Sequence, residues 1–554
     1  MRPFLLAATL LYSTAMTQVS AQELPALIES YELRIANVDV VVTDKKGNRV
    51  TGLTRDDFSI YENGVLQELT NFSEMRSGAQ TVPVPASTAI AAELPAAAPQ
   101  TRFVILFIDL YSLHPFRRNE VFGAFERFID RSVRSGDRIM LATWNRSLKV
   151  PLRFTDDVSV ARSSLATLSK AVSGGLALDE LVARRQIESH FQNAETEPRK
   201  VREHYSSAWS TATFFSAQQR TQSRNLSAAF SNLASTVAGV NGKKVMLFAS
   251  DNLPQNPGVG MFQYVNETFQ RFAAQIGKFH FPQVSAGLNS QTQAQADIAA
   301  AANAGGITIH SIYVGGTNDE SASDRRQPVS QIIEHMNFVD SASSMQLVSS
   351  DTGGQGLLGS RNFDRALQTI ALDLDNFYSL GYRMTGDDRR RRRVEVKPRN
   401  PGLTARFRKS VALKSLEDEF ADRVVSNIYH PPADNKIRIE ATIGVPQRRG
   451  RGKLSVPVNV TIPSDQVTLL PDGDHLTGGF QVFIGAGDAS GLFSEVARKE
   501  QRVRLTATQK SALNGAPYTF SVDVIVRKGP GLISIGVVDL LTKEAGYLVR
   551  KTGI

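Results

Sequence analysis

Between residues 31 and 72 the apolar positions recur with period two. Val38, Val40, Val41 and Val42 form a β-branched run, Asp44-Lys45-Lys46-Gly47-Asn48 is a polar turn, and Phe58-Ser59-Ile60-Tyr61 alternates before Glu62-Asn63-Gly64. Asn and Gly both tolerate positive φ, so this step predicts a tight hairpin. Residues 22–76 therefore read as a small antiparallel β-domain. Residues 77–100 carry Pro83, Pro85, Pro95 and Pro99 among alanines, the composition of a semi-extended linker.

From Thr101 the period changes. Phe103-Val104-Ile105-Leu106-Phe107-Ile108 is a continuous apolar run closed by Asp109, as expected of a parallel strand buried on both faces. Val121, Phe125, Phe128 and Ile129 follow at helical spacing, and Arg138–Trp144 reads as the next strand. Residues 172–240 keep a helical period and form a helical insertion. Val245-Met246-Leu247-Phe248-Ala249-Ser250-Asp251 is a second apolar run ending in Asp. An alanine-rich helix (294–302), a third strand (307–314) and an amphipathic helix (363–374) lead into Tyr378-Ser379-Leu380-Gly381-Tyr382. Repeated βα units predict a doubly wound parallel sheet with helices on both faces, here over residues 101–410. Ligands gather at the carboxyl ends of such strands, which is where Asp109 and Asp251 stand. After Lys409 the helical signal fades. Six short β-rich runs (436–444, 454–462, 479–484, 501–508, 519–526 and 532–540) predict an antiparallel sandwich over 411–554. The fold class is thus multidomain: a central α/β domain flanked by N-terminal and C-terminal antiparallel β-sandwich-like domains.

Composition sharpens the picture. At about 150 residues per domain, 554 residues imply three to four domains, and 42% hydrophobic with 21% charged residues excludes general disorder. The absence of cysteine removes disulfides, thiol catalysis, Cys-ligated zinc and iron–sulfur clusters. The net charge of +9 is spread over the chain and does not indicate nucleic acid. The five arginines at 389–393 follow Asp387-Asp388 and read as a solvated hairpin turn, in preference to a patch for envelope phosphates or polyanionic glycans. At the start, Arg2, an apolar stretch over residues 4–16 and Val19-Ser20-Ala21 have the form of a secretory signal peptide cleaved after Ala21. That stretch is too short for the ~30 Å of a bilayer core, and no later window holds 18 uninterrupted apolar residues. The expectation is a secreted or periplasmic protein without a membrane span.

Several stretches also occur in a telling order. These are Val40-Val41-Val42-Thr43-Asp44; Val50-Thr51-Gly52-Leu53-Thr54-Arg55-Asp56-Asp57-Phe58; Tyr61-Glu62-Asn63-Gly64; Phe107-Ile108-Asp109; Gly242-Lys243-Lys244; Thr352-Gly353-Gly354; and Tyr378-Ser379-Leu380-Gly381-Tyr382. Together they resemble the bacterial von Willebrand factor type A-related proteins common in acidobacteria, over nearly the whole mature chain. The resemblance implies a type A domain in the middle. Ligand-binding domains of that type hold a divalent cation through Asp-x-Ser-x-Ser, a Thr on another loop and an Asp after a later strand, leaving one position for an acidic side chain of the partner. By resemblance Asp109 and Asp251 fill two of these roles. The first loop here reads Asp109-Leu110-Tyr111-Ser112-Leu113, so Tyr111 and Leu113 replace the two serines and Ser112 sits between them. Thr211, Thr213 and Thr221 all stand as third-loop hydroxyls. The metal set is therefore a degenerate Asp109, Ser112 and Asp251, taking no cofactor or else Mg²⁺ or Ca²⁺. The plainer reading is that both aspartates cap helices or accept backbone N–H bonds.

Other constellations fail on their chemistry. Asp351-Thr352-Gly353 has no second copy to supply the facing carboxylate of an aspartic protease. His280, His310 and His335 lack ligand spacing, and Asp472-Gly473-Asp474 reads as a β-turn, not a calcium loop. No Gly-x-Ser-x-Gly elbow, Walker loop or His-Glu-x-x-His occurs. The expected function is non-catalytic adhesion or interaction with a protein or glycan partner of the cell exterior. An envelope-associated hydrolase with an unrecognised active site is the alternative.

Overall fold

The computed structural model describes residues 34–553 apart from 77–78, 83–100, 116, 277–291, 315–330, 359–362, 385–390, 432–434, 451, 489–492 and 514. The expected signal peptide, His280 and most of the proline-rich segment lie outside the described residues. The first strands are β1 (Arg34–Thr43), β2 (Phe58–Glu62), β3 (Val65–Gln67), β4 (Leu69–Arg76) and β5 (Ala79–Val82). Asn63 (φ 48) and Gly64 (φ 85) form the two-residue turn between β2 and β3, as their residue types predict. Ala79–Val82, read as linker, instead pairs along β4.

The next strands are β6 (Arg102–Asp109), β7 (Arg138–Trp144), β8 (Leu148–Thr155), β9 (Lys243–Ser250), β10 (Ile307–Tyr313) and β11 (Gly356–Leu357). They form one six-stranded sheet in the order β11-β10-β9-β6-β7-β8, parallel throughout except for β8, which runs antiparallel to β7 at the edge. Period two divides β6 between two cores. Ile105 and Phe107 face one cluster, and Val104, Leu106 and Ile108 face another. The helices that follow are α1 (Arg118–Ser132), α2 (Val158–Leu168), α3 (Gly175–Thr196) and α4 (Val201–Ala238). Helix α4 covers the first face with Phe230, whose ring meets Phe107 edge-on at 4.8 Å. Helix α1 covers the second with Phe125 and Phe128, beside Leu367 and Ile370 of the helix Phe363–Asp375. The expected helical insertion is the antiparallel pair α3 and α4, interrupted where Pro198 starts a 3-10 turn.

Past the central sheet the chain returns to its beginning through β12 (Phe377–Met384), β13 (Arg392–Pro398), β14 (Thr404–Phe407) and β15 (Ser410–Val411). Strand β12 lies between β1 and β4, with Leu380 opposite both Val38 and Phe72. Strand β13 pairs with β2, with Val396 opposite Ile60. This corrects the expected boundaries at 76 and 410. Residues 34–82 do not close a β-unit by themselves, and Tyr378–Tyr382 belongs to the two sheets β14-β1-β12-β4-β5 and β15-β13-β2-β3 instead of to the α/β core. The physical reason is that Val38, Val40 and Ile60 need a facing apolar layer, and Tyr378, Leu380, Tyr382, Val394 and Val396 supply it. The arginine run is corrected as well. Arg391 is exposed, but Arg392 is buried on β13 and pairs with Glu62 at 2.8 Å, with Tyr382 Oη donating to the same carboxylate at 2.9 Å.

The fading of helix after Lys409 is not complete. Leu416–Ser426 is a helix capped by the Ser415 hydroxyl, with Glu417, Asp418 and Glu419 in its first turn, a favourable charge pattern at a helix N-terminus. It wedges Phe420 and Val424 against Phe483 and Val538. The remaining strands are β16 (Glu440–Ile443), β17 (Gln447–Arg448), β18 (Lys453–Ile462), β19 (Leu469–Asp472), β20 (His475–Asp488), β21 (Ala497–Thr506), β22 (Tyr518–Arg527), β23 (Pro530–Asp539) and β24 (Ala545–Gly553). They build two antiparallel sheets around one core of Val458, Val460, Phe480, Ile484, Val524 and Ile535. Asp472-Gly473-Asp474 turns between β19 and β20, with Gly473 at φ 60. Among the described residues no helix is long and apolar enough to cross a membrane.

Candidate functional site

Because β6 and β9 are parallel neighbours, their carboxyl ends set Asp109 beside Ser250 and Asp251. The loop after β6 folds back on its own aspartate. Asp109 Oδ1 accepts the backbone N–H groups of Tyr111 at 3.1 Å and Ser112 at 3.2 Å. Asp109 Oδ2 accepts the hydroxyls of Ser112 at 2.6 Å and Ser250 at 2.8 Å, and the two hydroxyl oxygens are 2.9 Å apart. The N–H of Asp251 donates to Ser112 Oγ at 3.0 Å, and Asp251 Oδ2 accepts the His114 N–H at 2.8 Å. Asp109, Ser112 and Ser250 are 1%, 4% and 0% exposed. Burial raises the Asp109 carboxyl to about 6, against the lowering pull of its four hydrogen bonds.

Tyr111 stands where the resemblance expects a serine, and its environment explains the replacement. Its hydroxyl donates to Asp179 Oδ2 at 2.9 Å and accepts from Gln219 Nε2 at 3.0 Å. Arg146, held at φ 60 in the β7–β8 turn, clamps Asp179 at 2.6 and 2.8 Å and lays its guanidinium over the Tyr111 ring at 5.2 Å. Burial pushes the Tyr111 phenol upward. The start of α3 closes over this loop: Gly174 N–H donates to Leu110 and Leu176 N–H to Tyr111. A Cβ on Gly175 would come within 2.8 Å of the Tyr111 ring, so only glycine fits there.

The structure thus brings Asp109, Ser112 and Asp251 together and adds Ser250, which the sequence reading missed although it directly precedes Asp251. Thr211, Thr213 and Thr221 are corrected: they lie on helix α4, not on a loop, and their hydroxyls donate to the carbonyls of Ser207, Trp209 and Ala217. Asp179, Arg146 and Gln219 carry no sequence signal, since only folding brings them to Tyr111. His310 is buried on β10, where its Nδ1 accepts the Gln355 N–H at 3.2 Å, and desolvation lowers it to about 3. The His335 side chain lies outside the described residues. In Asp351-Thr352-Gly353 the Thr352 hydroxyl accepts the Ile309 N–H, so the triplet closes a helix end.

A hard cation needs six to eight oxygens with free lone pairs, or six in the octahedral case. Each carboxylate oxygen of Asp109 already accepts two hydrogen bonds, and the Ser112 and Ser250 oxygens accept the N–H groups of Asp251 and Asn252. As arranged, this donor set does not fit Mg²⁺ or Ca²⁺. Among the described residues no group of three or more His, Asp or Glu is placed to hold a metal.

No family model matches the chain, and no curated protein does. Solved structures do. An aerotolerance-related membrane protein from Bacteroides fragilis is 11% identical, with a TM-score of 0.26 over 49% of this chain and 97% of its own. A von Willebrand factor type A protein from Catenulispora acidiphila is 8% identical, with a TM-score of 0.23 over 90% of this chain and 72% of its own. The pilus adhesin SpaC from Lactobacillus rhamnosus GG is 8% identical, with a TM-score of 0.26 over 90% of this chain and 56% of its own. Scores this low say nothing of what the chain does.

Proposed function

We propose that this chain is a non-catalytic interaction protein of the cell exterior or envelope. In this reading a von Willebrand A-like α/β core of the acidobacterial type presents the loops at the carboxyl end of its sheet to a protein or glycan partner, without a bound cation. One observation carries the reading: the polar groups at that end are spent inward. A hydrolytic nucleophile must reach its substrate, whereas Ser112 and Ser250 are sealed against Asp109 and hold the loops after β6 and β9 in place. The sheet order, with its single antiparallel edge, supports the type A assignment.

The test uses mature chain beginning at Gln22. Binding to arrayed glycans and to extracellular proteins is measured in Mg²⁺ and in chelator, beside turnover of a hydrolase substrate panel. Saturable binding that chelator leaves unchanged is expected. Turnover by purified protein that disappears in Ser112→Ala or Ser250→Ala would overturn the proposal in favour of the hydrolase.

A further inference from the structure

At the amino end of β9, opposite the Asp109 cluster, a cavity of about 410 Å³ opens between the central sheet and the strands β1 and β14–β15. Two cations meet in its wall. Lys244, in the Gly242-Lys243-Lys244 stretch, is 7% exposed, and its ammonium donates to the Val240 carbonyl at 2.7 Å. Arg408 follows β14; its Nη2 donates to the Asn37 carbonyl, while its buried Nε has no hydrogen-bond partner among the described residues. Neither side chain makes an ion pair among the described residues. Between them runs bare backbone. Gly306 has φ +67, and the point its missing Cβ would occupy lies 3.8 Å from Lys244 Nζ and 3.7 Å from Arg408 Nη1.

Two like charges, one buried and one partly buried, converging on bare backbone in a cavity wall repel each other unless an anion lies between them. Three acids share the cavity wall: Asp39, 3.8 Å from Lys243 and near enough to act on both Lys244 and Arg408; Asp422, which pairs with Lys414 at 2.6 Å; and Glu419. Burial, together with the Arg408 and Lys414 charges, lowers the Lys244 ammonium to about 8 against the weaker opposing pull of Asp39 and Asp422. We propose that this cavity binds a tetrahedral oxyanion group, phosphate or sulfate, held over Gly306 between Lys244 Nζ and the Arg408 guanidinium. A tetrahedral anion presents separate oxygens to cations arriving from two sides, whereas a planar carboxylate is best matched by a single guanidinium fork. The group is free or carried on a small molecule, since the cavity has room for more than the ion.

The experiment titrates the mature chain with inorganic phosphate, inorganic sulfate, glucose 6-phosphate and acetate at constant ionic strength in chloride, following melting temperature and calorimetric heat. Saturable binding of phosphate or sulfate, with acetate silent, is expected. Tighter binding of glucose 6-phosphate than of free phosphate identifies a carried group, and the reverse identifies the free ion. Lys244→Met should weaken phosphate affinity about tenfold or more, as loss of one charge-assisted contact does. It should melt close to the parent in chloride, because Met keeps the apolar stem and relief of a buried charge offsets the lost bond to the Val240 carbonyl. Gly306→Ala, which fills the vacant point, should abolish binding independently. No saturable phosphate or sulfate binding, binding unchanged in both variants, or acetate binding as well as phosphate would each overturn the proposal.

Discussion

Replacing Asp109 by Asn tests whether the buried carboxyl strains the fold. The folded group titrates near 6 instead of its ordinary 3.8. At 1.36 kcal/mol per unit this corresponds to roughly 3 kcal/mol. The sign follows from the direction. A raised carboxyl favours the protonated fold, so its contribution is full below about pH 4 and is lost as pH rises through 6. Asn has the same shape and no charge. Its Oδ1 keeps the Tyr111 and Ser112 amides and its Nδ2 donates to the serine oxygens, while the Ser112 hydroxyl donates to Ser250 Oγ and the Ser250 hydroxyl to the Asn252 carbonyl at 3.3 Å. At pH 8 Asp109→Asn should therefore match or exceed the parent, by up to about 3 kcal/mol, and the advantage should vanish by pH 4. Asp109→Ala removes every acceptor and should cost about 2–4 kcal/mol at both pH values. Differential scanning calorimetry from pH 4 to 8, run on parent and variants in parallel, reads these differences. Parallel pH curves for parent and Asp109→Asn would refute the reasoning, because they would mean that Asp109 ionises near its ordinary value.

Three further outcomes follow from the same geometry. Asp373, at 3% exposed, joins Arg49 at 2.5 Å, Arg406 at 2.8 Å and Gln355 at 2.9 Å, tying the β1–β2 connection and β14 to the helix Phe363–Asp375; Asp373→Ala leaves two arginines facing each other and should cost about 3–5 kcal/mol in urea unfolding, a loss under about 1 kcal/mol contradicting the account. Melting in Mg²⁺ or Ca²⁺ should equal melting in chelator, whereas a competent site would add about 2.7 kcal/mol at a hundredfold excess over Kd. A metal-dependent rise that disappears in Asp109→Ala would show that the hydroxyl ring opens to a cation. N-terminal sequencing of protein recovered from the envelope or medium should begin at Gln22, and intact Met1 in a cytoplasmic fraction would contradict the export reading.

The sequence by itself determined the local periods and the ends they produce. The apolar runs of β6 and β9 specified buried parallel strands closed by polar residues, and Asn63-Gly64 specified its turn, because each depends only on neighbouring residues. Even the overlooked helix Leu416–Ser426 was legible in Ser415 and the three acids behind it. Partnership was not legible. Period two assigns Val38 and Val40 to a face without saying that Leu380 and Tyr378 lie opposite them, and a long intervening α/β unit hides that pairing from any local pattern. The same holds for the chemistry. Ser250 reaches Asp109 only because β6 and β9 lie side by side, Tyr111 blocks a serine position only because Asp179, Arg146 and Gln219 converge on it, and Lys244 meets Arg408 only across the cavity. Hydrogen bonds and charges act over a few ångströms in space, and only the packing of distant elements decides which groups come that close.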